Sequence, residues 1–283
     1  MIIDAQVHLW PAETPARPWP SDGQLRAHLK EPMSYSDMLK TMDRAGVDCA
    51  VIVPPSWEGD RNDYALEAAR LHPDRFAVMG RIGLDDPAGP ELVKRWFDEP
   101  GMLGARINFS DEKTNWLEDK TADWFWPAAE AAGIPVMMHA PGHQDKFAAI
   151  ARAHPKLRII VDHMNISTRL AKDKIAPAIE ATAALALHPN ISVKLSSLPA
   201  YATSPFPYAD MDPHLEKLVA AFGAERCYWG SDLSHGKGKI PYERYVGHFT
   251  DHLPFLTSDQ RKLILGESIA KFFGWPGADA VAS

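Results

Sequence analysis

Short apolar runs alternate with segments of helical periodicity along the whole chain. Eight of these runs are almost continuously apolar, which is typical of parallel strands that are buried on both faces. The segments between them are long enough for crossover helices, so the pattern predicts an α/β protein with parallel strands. The predicted strands are residues 2–8, 49–53, 76–81, 102–108, 135–139, 158–162, 191–195 and 227–231. Eight such units predict closure into a (β/α)8 TIM barrel.

The intervening segments carry signals for the start and the end of helices. Ser34 precedes an amphipathic pattern that ends at Gly46, and the segment 123–133 also ends in glycine before a predicted strand. Three His-Pro pairs close helical segments, where proline stops the helix and histidine suits the dipole at its carboxyl end. Their histidines, His72, His154 and His188, are therefore interpreted as structural.

The domain organisation is predicted from the length of the chain and from two long connections between predicted elements. A barrel of this kind takes about 250 residues, so residues 1–283 are predicted to form a single domain. The stretches 11–33 and 196–213 are rich in proline and aromatic residues and are too long for a short connection. Both follow predicted strands, so we expect them on the active-site face, where they shape or cover the pocket.

The composition and the net charge indicate which class of molecule the protein binds. Hydrophobic residues make up 46% of the chain and charged residues 24%, which is typical of globular proteins with a large core. The net charge of −7 argues against nucleic acid and anionic membranes, because both attract basic surfaces. A small molecule is the predicted partner, and aromatic residues in the loops leave a homo-oligomer open.

The cysteine content and the length of the apolar runs indicate the cellular compartment of the protein. Cys49 and Cys227 lie in predicted strands and are interpreted as buried, reduced thiols. No apolar run reaches the ~18 residues of a membrane span, and the first residues lack a basic segment. These features predict a cytoplasmic protein.

Polar residues recur at the ends of the predicted strands, where the side chains of a barrel converge on one mouth. They are His8, Arg81, Arg106, Asn108, His139, Asp162, His163, Lys194, Ser231 and Asp232. Each has a structural alternative, such as a hydrogen-bonded core histidine or an ion pair between Arg106 and Asp162. Unpaired buried charges are costly, so their joint placement favours a shared reaction site.

Several of these residues lie in segments that resemble a known family. The segments IDAQVHLW at 3–10, VMMH at 136–139, IVDH at 160–163 and WGSD at 229–232 resemble the amidohydrolase superfamily, amidohydrolase-2 type. Their order matches over essentially the whole chain, including ILGESIAKFFG at 264–274. The segment GARIN at 104–108 is similar to the fourth strand of the branch with 2-pyrone-4,6-dicarboxylate lactonase and sugar lactonases. The resemblance implies a hydrolase.

One position departs from the pattern of this family. The family usually opens with a His-x-His pair, whereas this chain has Gln6 and His8. Glutamine is a poor ligand for zinc. The predicted metal site is therefore reduced to His8, His139 and Asp232, with zinc or manganese as the divalent cation.

The resemblance also implies catalytic roles. Asp232 is expected to deprotonate the attacking water and to return the proton to the leaving oxygen. His139 or His163, or a bound metal, is expected to polarise the carbonyl group. The predicted function is hydrolysis of a lactone or ester ring.

The candidate substrate-binding residues indicate an anionic substrate. They are Arg106, Arg81, Lys194, Asn108 and Trp10. Arginine suits a carboxylate because it donates two parallel hydrogen bonds. The aromatic residues Trp10, Trp19, Trp57 and Tyr201 are either pocket walls for a flat ring or core residues. Asn62 and Tyr64 are interpreted as a helix cap and a packing residue.

Two alternative functions remain open from the sequence. The first is metal-dependent, non-oxidative decarboxylation of an aromatic acid, which the same fold and a similar His/Asp set support in related groups. The loss of a ligand position at Gln6 counts against it. The second is a catalytically inactive barrel that binds a small acid, against which the retained Asp232 and the three strand-end histidines argue.

Overall fold

The fold is an eight-stranded parallel barrel, as predicted. The computed structural model describes residues 1–29, 31–109, 115–236 and 238–275, so parts of the predicted ranges 1–283 and 11–33 lie outside the described residues. The strands follow one another in chain order around a single sheet. They are β1 (Ile3–Val7), β2 (Cys49–Ile52), β3 (Phe76–Arg81), β4 (Met102–Asn108), β5 (Val136–His139), β6 (Ile159–Val161), β7 (Ile191–Ser196) and β8 (Cys227–Gly230).

Most helices cover the outside of the sheet, whereas the short helices Gly23–Arg26 and Leu198–Tyr201 lie in the connections that follow β1 and β7. They are α1 (Gly23–Arg26), α2 (Tyr35–Ala45), α3 (Asp63–Leu71), α4 (Gly89–Lys94), α5 (Phe125–Ala132), α6 (Gln144–Ala153), α7 (Ile175–Ala183), α8 (Leu198–Tyr201), α9 (Asp212–Phe222), α10 (Tyr242–Asp251), α11 (Ser258–Lys262) and α12 (Ser268–Phe273). No helix in the described part of the chain is long and apolar enough to cross a membrane.

The helix signals read from the sequence are confirmed at α2 and α5. Ser34 accepts a hydrogen bond from the Asp37 amide at 3.1 Å, and Gly46 ends α2 in the left-handed conformation with φ of 69°. Gly133 ends α5 in the same way. Since only glycine adopts this conformation at little cost, both glycines fix where the chain leaves the helix.

Asn62 occupies the N-cap position directly before α3, as predicted, but its side chain makes no capping hydrogen bond. Its amide nitrogen instead donates to the Arg81 carbonyl at 2.9 Å, and its oxygen accepts from the Arg81 amide at 2.7 Å. The side chain therefore provides hydrogen-bond partners for the backbone carbonyl and amide of Arg81 at the end of strand β3.

The two cysteines are buried and unpaired, as predicted. Cys49 packs in an apolar cluster inside the barrel, and Cys227 packs in the larger cluster between the strands and the helices. Burial raises the pKa of the Cys49 thiol to about 11. Both thiols therefore behave as small apolar core groups.

Strand β1 changes the face that its side chains present. Ile3 and Ala5 pack in the barrel interior, whereas Val7 packs outward against the helices. The pairing register with β2 shifts before Val7, and such irregularities turn the following side chains. As a result, Gln6 and His8 point into the mouth of the barrel.

The barrel closes where β8 meets β1. The Asp232 amide donates to the Gln6 carbonyl at 2.9 Å, and the Ser231 amide donates to the Asp4 carboxylate at 2.8 Å. The second oxygen of this buried carboxylate accepts a hydrogen bond from the Tyr242 hydroxyl at 2.7 Å. Asp4 thus ties β1 to β8 and to helix α10.

Candidate active site

A cavity of about 650 Å³ opens at the carboxyl ends of the strands. Of the predicted site residues, His8, Arg106, Asn108, His139 and His163 line it. Connecting segments add His28, Ser56, Trp57, Ser197, Tyr201 and His235. The strand ends therefore bring most of the candidate residues together at one place, as the barrel topology requires.

Asp232 lies fully buried beside this cavity, between residues that follow β1, β6 and β7. Its Oδ1 atom lies 3.1 Å from His8 Nε2. Its Oδ2 atom accepts a hydrogen bond from the Ser197 hydroxyl and lies 3.6 Å from His235 Nε2. Burial alone raises the pKa of Asp232, but His235, the largest opposing influence, and a hydrogen bond from His8 hold this pKa well below its ordinary value. The group is therefore a carboxylate at neutral pH.

Three residues in contact at this place adopt backbone conformations that side chains disfavour. The φ angles are 51° at His163, 61° at Ser197 and 52° at Asp232. A residue other than glycine in the left-handed region costs on the order of 1 to 3 kcal/mol and persists only where its surroundings hold it. Such conformations cluster at functional sites, which supports a site here.

The histidines on β5 and after β6 are both neutral at pH 7. His139 Nε2 donates to the Ile166 carbonyl at 3.1 Å, and burial, assisted by Arg106, lowers the pKa of His139 to about 4. His163 Nδ1 lies 2.8 Å from the Ser196 hydroxyl. Burial also lowers the pKa of His163 well below its ordinary value.

A buried ion-pair network lies below the cavity. Lys194 Nζ lies 2.6 Å from Asp162 Oδ1, and Arg106 Nε donates to Asp162 Oδ2 at 3.1 Å. Burial alone raises the pKa of Asp162, but these two cations hold it well below its ordinary value. Within the described part of the chain, the two terminal nitrogens of Arg106 have no hydrogen-bond partner, and Arg106 lines the cavity.

Three residues predicted to bind substrate are not placed at the cavity wall. Lys194 is completely buried and forms an ion pair with Asp162. Arg81 Nε donates to the Gly59 carbonyl at 3.1 Å and to Asp60 at 3.2 Å. Trp10 is also completely buried, with its ring 5.0 Å from that of Trp57. Since each side chain is already engaged elsewhere, this geometry does not support direct contact with a substrate.

Sequence reasoning misses His28, Ser197 and His235. His28 reaches the cavity from the stretch 11–33, and its ring lies 4.0 Å from that of His235. The conformation of that stretch depends on tertiary packing, so its sequence carries no signal for His28. Ser197 and His235 follow the ends of β7 and β8 closely, and this position could have identified them.

The predicted metal ligands fit a divalent cation only in part. His8 Nε2 and Asp232 Oδ1 converge, but His139 directs its Nε2 proton to a backbone carbonyl. Across the described ranges, no group of three or more His, Cys, Asp or Glu side chains is arranged to hold a metal. Catalytic zinc takes three protein ligands, so the expected set of His8, His139 and Asp232 is incomplete in this conformation.

Comparison with known proteins identifies the family. A sequence model of the amidohydrolase family matches residues 3–275. The chain belongs to the amidohydrolase family. This assignment confirms the resemblance seen in the strand-end segments.

Two similar proteins are named for the hydrolysis of lactones. An L-fucono-1,5-lactonase from Burkholderia ambifaria is 27% identical over 296 aligned residues, covering 96% of this chain and 94% of the relative. A 4-sulfomuconolactone hydrolase from Hydrogenophaga intermedia is 23% identical, covering 89% and 82% of the two chains. The crystal structure of an amidohydrolase from Burkholderia multivorans with bound zinc has a TM-score of 0.80 at 19% identity, covering 98% and 100%. This protein is accordingly a hydrolase of the amidohydrolase family.

Proposed function

We propose that this amidohydrolase opens the lactone ring of a small carboxylated substrate, using a water molecule activated by Asp232. The observation that carries the proposal is the ionised Asp232 carboxylate, which lies buried beside the cavity with His8 Nε2 at 3.1 Å and His235 Nε2 at 3.6 Å. A carboxylate held in its charged form at this place is able to accept a proton from a water molecule in the cavity. The two relatives that act on lactones support the reaction class.

The proposed reaction begins with attack of the water oxygen on the lactone carbonyl carbon. Asp232 accepts one proton from this water, so the attacking group becomes hydroxide as the bond forms. The carbonyl electrons move to oxygen and create an oxyanion. Collapse of this intermediate breaks the bond to the ring oxygen, which receives the proton from Asp232. The product is the open-chain hydroxy acid, and the Asp232 carboxylate is restored.

His163 is the proposed donor to the developing oxyanion. The Ser196 hydroxyl lies 2.8 Å from His163 Nδ1 and is able to donate to it. The Ser197 hydroxyl also lies 3.0 Å from Nδ1, but it donates its proton to Asp232 Oδ2. We propose that Ser196 is the donor to Nδ1, which leaves the proton of the neutral ring on Nε2. A fixed donor of this kind stabilises negative charge strongly in a site that excludes water.

Arg106 is the proposed binding residue for the substrate carboxylate. Its Nε atom is held by Asp162 at 3.1 Å, which fixes the plane of the guanidinium group. Its two terminal nitrogens lack hydrogen-bond partners among the described residues. Arg106 itself lines the cavity. Two parallel hydrogen bonds from one guanidinium group match the geometry of a carboxylate.

Hydrolysis of a panel of carboxylated and neutral lactones by the Asp232→Asn variant tests the function. Loss of the base is expected to lower kcat/KM about 10²- to 10⁴-fold, because asparagine cannot accept the proton. The matched control is Asp173→Asn on the exposed surface, which is expected to leave kcat/KM unchanged. Full activity of Asp232→Asn, or release of CO2 from aromatic acids without any ring opening, would contradict the proposal.

A further inference from the structure

A second cavity, of about 340 Å³, lies next to the first. Ser197 and His235 line both cavities and therefore stand between them. Asp232 lines the second cavity, whereas it is not part of the wall of the first. The base of the proposed reaction is thus in contact with a space that lies outside the first cavity.

The other walls of the second cavity come from helices α8 and α10 and from the segment that follows β8. They are Pro199, Ala200, Gly236, Lys239, Ile240 and Tyr245. None of these six residues lines the first cavity. Lys239 is exposed, and Pro199 and Ala200 are half-buried, so the second cavity opens toward solvent through a different part of the surface.

A buried hydroxyl group in the second cavity calls for a hydrogen-bond partner. Tyr245 is buried, and its hydroxyl has no partner among the described residues. The hydroxyl packs closely against Gly236, where even one side-chain carbon would collide with its oxygen. A buried hydroxyl without a partner is costly, and ordered water typically supplies the missing hydrogen bond.

The second cavity meets the requirements of a water site. A buried water takes about two to four polar partners, and Ser197, Asp232, His235 and Tyr245 all line the cavity. The volume of about 340 Å³ far exceeds the ~30 Å³ that one water occupies in the liquid. Pro199, Ala200 and Ile240 offer no side-chain hydrogen bonds, so water along this part of the cavity exchanges freely.

We propose that the second cavity supplies the hydrolytic water to Asp232 while the substrate occupies the first cavity. Hydrolysis consumes one water in each turnover, and a lactone held between Arg106 and His163 covers the approach from the first cavity. Asp232 is able to accept from this water in addition to Ser197, because a carboxylate has about four lone-pair sites. The inference rests on the proposed lactone hydrolysis for the use of the water, but the water site itself is independent of any substrate.

Thermal unfolding of Tyr245→Phe tests the water site without a substrate. Removal of a hydroxyl that binds water is expected to lower Tm by about 2 to 4 °C, because the water loses a partner. Removal of an unpaired hydroxyl would instead leave Tm unchanged or raise it. The matched control is Tyr35→Phe, which loses only an exposed contact of 3.4 Å with Glu67 and is expected to keep the wild-type Tm.

The ratio of products in water–methanol mixtures tests the supply of the nucleophile. Methanol that attacks the lactone carbonyl gives its hydroxyl proton to Asp232, the ring oxygen receives that proton, and the product is a hydroxy methyl ester in place of the hydroxy acid. Methanol is larger than water, so narrowing the second cavity by Ala200→Leu is expected to lower the ester-to-acid ratio severalfold. Widening it by Ile240→Ala is expected to raise this ratio.

The product ratio distinguishes supply of the nucleophile from a structural effect. The ratio is set at the step of attack, so it does not depend on which step limits kcat, and a general loss of activity lowers both products equally. Ala181→Leu on the exposed side of α7 is the matched control and is expected to leave the ratio unchanged. Circular dichroism establishes that the variants are folded.

Steady-state kinetics supplies the third measurement. Ala200→Leu is expected to lower kcat about 10-fold, equivalent to about 1.4 kcal/mol in the barrier, with little change in KM, because fewer complexes hold a water beside Asp232. A product ratio that is the same in wild type, Ala200→Leu and Ile240→Ala would overturn the inference, and so would a Tm of Tyr245→Phe at or above that of wild type. A rise in KM confined to lactones with an alkyl group beside the ring oxygen would also overturn it, because the second cavity would then hold part of the substrate. A lowered Tm of Tyr245→Phe in a protein that opens no lactone would leave the water site intact and refute the proposed function alone.

Discussion

The guanidinium group of Arg106 faces Asp162 on one side and the cavity on the other. Its Nε atom binds Asp162 at 3.1 Å, while its terminal nitrogens belong to the cavity wall. In Arg106→Lys the positive charge remains, but the two parallel hydrogen bonds to a carboxylate cannot form. A hydrogen bond to a charged group contributes about 1.5 to 3 kcal/mol, so KM for a carboxylated lactone is expected to rise about 10- to 100-fold. Steady-state kinetics on matched carboxylated and neutral lactones checks this.

Two comparisons make the Arg106 experiment specific. KM for the neutral lactone is expected to stay close to its wild-type value, because that substrate offers no carboxylate. Arg152→Lys on the exposed side of α6 is the matched control and is expected to leave both constants unchanged. Equal losses for both substrates would show that Arg106 acts through the ion-pair network and not through a substrate carboxylate.

At the residue scale, the sequence predicts which residues of the candidate site lie at the strand ends, but not the direction in which each side chain points. His8, Asn108 and His139 could be placed because each ends a predicted strand, and the carboxyl ends of parallel strands meet at one mouth of a barrel. Lys194 follows the same rule, yet it lies below the cavity, because it pairs with Asp162 from another strand. Such pairings depend on distances between strands, which a single sequence does not contain.

At the scale of elements, the closure of β1 against β8 depends on the Asp4 carboxylate. Burial raises the pKa of Asp4 to about 6 in the folded protein, although hydrogen bonds from Ser231, Gln6 and Tyr242 oppose this. The folded state therefore holds the proton more tightly than the unfolded state, whose pKa is near 3.8. The contribution of Asp4 to the free energy of unfolding is greatest below the unfolded pKa and falls by about 3 kcal/mol in total as the pH rises through 6 to about 7.

Asp4→Asn isolates this contribution. The amide keeps an oxygen for the backbone amides of Gln6 and Ser231 and offers an NH₂ group to the Tyr242 hydroxyl, which is able to accept instead of donate. Because the amide does not ionise, the stability of the variant relative to wild type is expected to rise between about pH 4 and 7 and to level off above. Urea unfolding at several pH values measures the difference. A relative stability that falls with pH over this interval would mean that the pKa of Asp4 is lowered in the fold.

The element boundaries could be predicted closely because burial on both faces leaves a simple signal. The eight predicted strands agree with the observed ones to within about one residue at most ends, with a prediction of 49–53 against Cys49–Ile52 for β2. The irregularity in β1 could not be predicted, since both faces of that strand are buried and the sequence does not show which is which. That irregularity directs Gln6 and His8 into the mouth of the barrel, so the sequence alone left the role of Gln6 open.

At the scale of the whole molecule, the metal content of the purified protein follows from how the barrel positions its ligands. The barrel brings His8 Nε2 and Asp232 Oδ1 within 3.1 Å of each other, but it directs His139 Nε2 to the Ile166 carbonyl at 3.1 Å. Since catalytic zinc takes three protein ligands, two converging atoms are expected to bind zinc or manganese weakly. Elemental analysis after dialysis is therefore expected to find metal well below one equivalent per chain, and a chelator is expected to leave lactone hydrolysis unchanged.

The Gln6→His variant, which restores the usual pair of histidines, is expected to retain more metal than wild type under the same dialysis. Stoichiometric metal in the wild-type protein, lost together with activity on chelation, would mean that His139 leaves the carbonyl and completes the site, and that Gln6 has not weakened it.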